Sequence, residues 1–171
     1  MIATATKRKN GVAMSPDEGS GPEALPVTAA SRPLKFQMKL VSDARMLAVV
    51  RGTVEQLAAT LGFEDAECQK VTLAIDEALS NVIRHAYGNE DNHEIELNCL
   101  AQEDCLEFTF IDHGEPPDPE RICGQPLDQD ALGGRGTHLI RQIMDEVRYE
   151  RLSDQNRLHL KKYRPGARRQ S

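Results

Sequence analysis

At 171 residues the chain has room for one domain of ordinary size and not for two, and its 39% hydrophobic content suffices for a core without a disulfide or metal staple. The formal net charge is −6, but residues 34–160 hold 12 basic against 24 acidic side chains, while residues 161–171 carry five basic and no acidic ones. So acidic a body repels phosphate backbones, which excludes nonspecific nucleic-acid binding by the folded part and requires any bound nucleotide to be held by local geometry. The longest purely apolar run, Met46-Leu47-Ala48-Val49-Val50, falls far short of the ~20 residues of a membrane span. The segment after Lys7-Arg8-Lys9 lacks the apolar stretch of a secretory signal, so the chain reads as cytoplasmic, with no membrane partner. Cys68, Cys99, Cys105 and Cys123 form no CxxC pair, and no histidine stands at a ligand-like offset; reduced, partly buried thiols are expected.

Residues 1–33 are Ala, Thr, Ser, Gly and Pro with scattered charges and no apolar period, the composition of a disordered tail. From Leu34 the alternation of Phe36, Met38 and Leu40 predicts a half-buried strand. Ser42 is placed to cap a helix over 43–61, whose Met46, Leu47, Val50, Val54, Leu57, Ala58 and Leu61 recur at helical spacing before Gly62. A second, long helix is expected from Glu64 to about Tyr87, with the stripe Val71, Ile75, Ala78, Leu79, Val82, Ile83 and Ala86 and a stop at Gly88-Asn89. Period-two alternation over 94–100 and 106–112, about a Gln102-Glu103-Asp104 turn, predicts an antiparallel hairpin. Four prolines make 113–132 a lid-like loop. Gly133-Gly134-Arg135-Gly136 then leads into a short helix through Met144, and 146–152 and 157–163 read as a closing hairpin. The basic stretch 164–171 is a second tail. Strand, two helices, hairpin, helix, hairpin is an α+β order that builds two layers, a mixed but mostly antiparallel sheet with helices on one face.

Three constellations stand out. Glu77, Asn81 and His85 fall at i, i+4 and i+8 and form one polar ridge, with position 81 about 60° around the helix from Ala78. Such a ridge is either a solvated face or the border of a site. Asp112 shares the parity of Leu106, Phe108 and Phe110, so it ends the strand on the buried face. With Gly114 beside it, it either closes a turn or accepts a hydrogen bond from a flat heterocycle. Gly133, Gly134 and Gly136 at a helix head are a flexible loop end or an anion cradle. They are not a P-loop, since no Lys-Ser or Lys-Thr follows.

In order and spacing, Glu-Ala-Leu-Ser-Asn-Val-Ile-Arg-His-Ala-Tyr (77–87), Asp-His-Gly-Glu-Pro-Pro-Asp-Pro (112–119), Gly-Gly-Arg-Gly-Thr-His-Leu-Ile (133–140) and Met-Asp-Glu-Val-Arg-Tyr (144–149) resemble the boxes of the GHKL ATPase superfamily. The pattern is most similar to that of its bacterial anti-sigma-factor serine/threonine-protein kinases, and it spans residues 34–163. The resemblance implies a Bergerat, or histidine-kinase-like ATPase, domain over 34–163, binding ATP with Mg2+. It implies Asn81 as the metal's side-chain ligand, Asp112 as acceptor for the adenine amino group and Glu77 as the base that activates an attacking hydroxyl. Gly114 would make room for adenine, Gly133, Gly134 and Gly136 would cradle phosphates, and His85 would support the site through hydrogen bonds. Arg135 and Thr137 replace apolar residues usual in the glycine box; both count among the implied nucleotide-binding residues, Arg135 as one that could reach a phosphate. Arg51 would contact a partner or a phosphate. The implied partners are a sigma factor, a STAS-type anti-sigma-factor antagonist that is phosphorylated, and a second copy of the chain in a homodimer. Two alternatives remain, a noncatalytic ATP-dependent binding module and a detached histidine-kinase-like ATPase domain.

Overall fold

The computed structural model describes residues 32–116 and 135–166. The chain runs β1 (Leu34–Val41), α1 (Met46–Thr60), α2 (Asp65–Asn81), a π-helical segment (Val82–Ala86), β2 (Glu94–Ala101), β3 (Cys105–Asp112), α3 (Arg135–Ile143), β4 (Glu146–Leu152) and β5 (Gln155–Tyr163). The expected tail 1–33 lies outside the described residues except for its last two, and so do most of the lid-like loop, Cys123, and the end of the basic tail beyond position 166.

Alternation dictates the sheet. Ile95, Leu97, Cys99 and Ala101 of β2 and Leu106, Phe108 and Phe110 of β3 are buried on one face. Val50 and Val54 of α1 and Val71, Ile75 and Leu79 of α2 pack against them in the same core. Each such side chain contributes about 1.5–3 kcal/mol on burial. The opposite face carries charge, with Lys39 3.0 Å from Glu94 and Lys161 3.0 Å from Glu107. The helices therefore cover one side only, and the two-layer expectation holds.

The strand order is β1-β2-β3-β5-β4, and all four pairings are antiparallel. The expectation of a mixed, mostly antiparallel sheet is corrected to one whose hydrogen-bonded neighbours are all antiparallel. β4 does run parallel to β3, but β5 pairs with both and separates them.

Two further details depart from the sequence reading. Ser42 does not cap α1. Its hydroxyl donates to the Glu90 carbonyl and accepts from His93 N at 3.1 Å, so a tertiary bond has claimed it; the N-cap is Arg45, with no side-chain cap. At the other end Gly62, at φ 77°, closes α1 with Gly62 N donating to Ala59 O and Phe63 N to Ala58 O, a Schellman arrangement. The second helix is not α-helical throughout: after Asn81 it widens, and Tyr87 N donates to Val82 O five residues back. Gly88 and Asn89 then stop it, both at positive φ.

Candidate functional site

The sequence-remote motifs meet on α2 and its π-helical continuation. A Cβ on Gly114 would run into the carbonyl oxygen and Cβ of Ala86, and Glu115 N donates to that same carbonyl at 3.1 Å. The buried Tyr87 completes the seam: its hydroxyl accepts from His113 N at 2.9 Å and donates to Glu94 O at 3.2 Å. A Cβ on Gly136 would fall on the Glu77 carboxylate, so the head of α3 rests directly on α2. Gly114, expected to make room for a base, is thus already required by backbone packing.

At one end of this seam lies Asp112, 5% exposed. Its Oδ1 accepts from Gly114 N at 2.9 Å and Asn156 Nδ2 at 2.7 Å, and no hydrogen bond among the described residues reaches Oδ2. Asn156, also buried, is itself fixed, because its Oδ1 accepts from Tyr149 Oη at 2.6 Å and Arg151 Nη1 at 2.5 Å. Burial pushes the Asp112 carboxyl above the ordinary carboxylate range, while Asn156, the Gly114 N–H and the charges of Arg151 and His113 pull it down. A buried carboxylate with one oxygen that no described residue bonds is suited, when ionised, to accept from a planar N–H donor.

At the other end Glu77 and Asn81 lie one turn apart on α2, as expected. Arg84 joins them, its Nη2 lying 3.2 Å from Glu77 Oε1 and 3.4 Å from Asn81 Oδ1. The side chains here are open, Arg84 being 47% and Glu77 25% exposed. His85 lies past the change of helical period, is exposed, and makes no hydrogen bond among the described residues. Arg51 is 52% exposed and its Nε lies 3.6 Å from Asp76 Oδ1, a buried oxygen with no hydrogen bond among the described residues. The arginine therefore serves α1–α2 packing as well as any outside contact. Gly133 and Gly134 lie outside the described residues; of Arg135 only the backbone, as the first residue of α3, is described, and Thr137 is half-buried in its first turn.

The described residues include no group of three or more His, Cys, Asp or Glu able to hold a metal by themselves. A hard cation at Asn81 Oδ1 would need oxygens from elsewhere, such as phosphates, which suits the habit of Mg2+. Cys68, Cys99 and Cys105 are buried free thiols, and burial pushes Cys99 and Cys105 up to about 12, so they are unreactive at neutral pH. Sequence reasoning missed Arg84, Arg151 and Asn156. Extending the inward alternation of Leu158 and Leu160 back by one step would have found Asn156, which pairs with Asp112 in the sheet. Arg84 also had a signal, since it stands at i+7 from Glu77 and i+3 from Asn81, the spacings of one helix face.

Residues 40–162 match the histidine kinase-like ATPase domain family. The chain is 28% identical over 123 residues to the serine-protein kinase RsbW of Bacillus subtilis (strain 168), covering 67% of this chain and 77% of that protein. It is 30% identical over 121 residues to the serine-protein kinase RsbW of Bacillus cereus (strain Q1), covering 66% of this chain and 75% of that protein. A crystal structure of the RsbU and RsbW domains of a Mycobacterium tuberculosis protein shares the fold at a TM-score of 0.56 and 18% identity, over 84% of this chain and 36% of that longer one. None of the described helices is long and apolar enough to cross a membrane.

Proposed function

Because the chain belongs to the histidine kinase-like ATPase domain family, we propose that it is an ATP-dependent protein-serine kinase that sequesters a sigma factor and phosphorylates a STAS-type antagonist of that sequestration. Both partners are those of the anti-sigma-factor kinases whose boxes the sequence resembles, and the curated relatives named serine-protein kinase support the reaction. The observation that carries the reading is the convergence on one helix: Gly114 and Gly136, from two separate glycine motifs, both approach α2 and its continuation too closely for a Cβ.

In this reading adenine stacks beside Gly114 and donates its amino N–H to Asp112 Oδ2. Asn81 Oδ1 would hold Mg2+, which would supply charge neutralisation for the transferred phosphoryl group. Glu77, one turn from Asn81, accepts the proton of the attacking serine hydroxyl. Arg84 must release Glu77 Oε1 for that, and half exposure leaves it room to swing. Arg135 and Thr137 at the head of α3 take part in holding the nucleotide, and Arg51 contacts a partner or a phosphate.

The noncatalytic binding module has one observation in its favour, since Glu77 is here engaged by Arg84 and covered by Gly136 rather than free. Radiolabelled ATP, the purified antagonist and the wild-type chain separate the two readings. Transfer of label to a serine of the antagonist is the expected result. Tight ATP binding without transfer to any copurifying partner would replace the kinase by the binding module.

A further inference from the structure

Asp112 alone does not settle which purine is read. An ionised carboxylate accepts from a 6-amino group, whereas a protonated carboxyl, its proton on Oδ2, donates to a 6-keto oxygen. Burial by itself favours the protonated form. What opposes it is a built network, and its polarity is fixed. Tyr149 Oη and Arg151 Nη1 converge on one end of the Asn156 amide at 2.6 and 2.5 Å. A guanidinium has no acceptor, so that end must be the carbonyl oxygen, and the NH2 is forced toward Asp112 Oδ1 at 2.7 Å and Gly114 O at 3.2 Å. Arg151 Nη1 also donates to Gly114 O at 3.2 Å, tying the loop to β4.

We propose that Asn156, oriented by Tyr149 and Arg151, is the positioning residue that makes Asp112 accept a 6-amino purine and refuse a 6-keto one, an inference that rests on the ATP-site reading above. Asn156 and the Gly114 N–H occupy Oδ1 with donors and thereby favour the ionised carboxyl against the effect of burial, leaving Oδ2 to accept. The other groups facing Asp112 act around this lock. Arg151 on β4 and His113 after β3 supply positive charge, while the phenols of Tyr87 and Tyr149 stay neutral, each raised above its ordinary value by burial and by Asp112 itself.

The test compares ATP with inosine triphosphate, which carries a keto group in place of the amino group, by calorimetric titration of the full chain. Wild type is expected to prefer ATP by about 10- to 100-fold, the equivalent of one charge-assisted hydrogen bond. In Asn156→Leu the preference should collapse to a few-fold, and ATP binding should fade at a higher pH than in wild type as the solution is acidified, because burial then acts on Asp112 with less to oppose it. Tyr149→Phe removes one of the two donors that orient the amide; it should lose part of the preference, and it decides the matter where Asn156→Leu does not fold. Folded variants that keep the wild-type preference and pH profile would overturn the lock while leaving the ATP site intact, as would a wild type that binds both nucleotides equally. A wild type that binds neither would remove the ATP-site reading itself.

Discussion

The two ends of the site are built differently. Around Asp112 the polar groups are buried, short-bonded and locked into one arrangement by four neighbours, Gly114, Asn156, Tyr149 and Arg151. Around Glu77 and Asn81 they are half-open and, among the described residues, held by Arg84 at 3.2 and 3.4 Å. A base-reading end gains from being fixed before the ligand arrives, since preorganisation removes an ordering cost from binding. A reacting end must exchange partners during turnover, and weak, exposed bonds are easily exchanged. The contrast extends to the two glycines: Gly114 abuts backbone that cannot yield, whereas Gly136 abuts the flexible tip of Glu77.

The sharpest expected break lies at the reacting end. Glu77→Gln keeps size and hydrogen bonding but cannot take a proton, so phosphate transfer should fall about 10²–10⁴-fold with ATP binding preserved. Equal losses of binding and transfer would show that Glu77 is part of the ligand's support instead. The glycines test the contrast itself. Gly136→Ala displaces the Glu77 carboxylate and should lower transfer by about 10²-fold, with a thermal midpoint close to wild type, since only a side-chain tip must move. Gly114→Ala drives a methyl into the Ala86 backbone and should cost about 1–3 kcal/mol of stability, read as a fall in the denaturation midpoint. If Gly136→Ala is the more destabilising of the two, the comparison is inverted. Smallest is Arg84→Ala: a half-exposed pair is worth at most ~1 kcal/mol, so the magnesium needed for half-maximal nucleotide binding should drop by no more than about fivefold as Asn81 is released.

Much of the fold was legible because periodicity reports burial. The strand parity that set Phe108, Phe110 and Asp112 on one face, the α1 stripe ending at Gly62, and the β2–β3 hairpin about Gln102 all follow from which side chains must leave water. What escaped were features that depend on contacts remote in sequence. Ser42 has the chemistry of a cap, but a bond to the Glu90 carbonyl took it. The π-helical segment arises within a stripe that looks α-helical, and nothing in that stripe marks where the period changes. In the site, the ridge of Glu77 and Asn81 and the burial of Asp112 could be read from local spacing. Asn156 could be read as inward-facing from the alternation of Leu158 and Leu160, but its partnership with Asp112 needed the β3–β5 register, which no local pattern specifies.

The most direct test of an ATP site that begins at Asp112 is calorimetric titration of Asp112→Asn beside wild type, with the thermal melt of each. Burial raises the Asp112 pKa, so its ionised form costs the fold stability at neutral pH, a cost that fades as pH falls through that raised value. Asparagine removes this cost and keeps an acceptor for Asn156 and Gly114, but it turns an NH2 toward the adenine amino group. The variant should therefore melt no lower than wild type at neutral pH while its ATP affinity falls by about 1.5–3 kcal/mol, or roughly 10- to 160-fold. A folded Asp112→Asn that binds ATP as tightly as wild type would contradict the assignment of the nucleotide to this site.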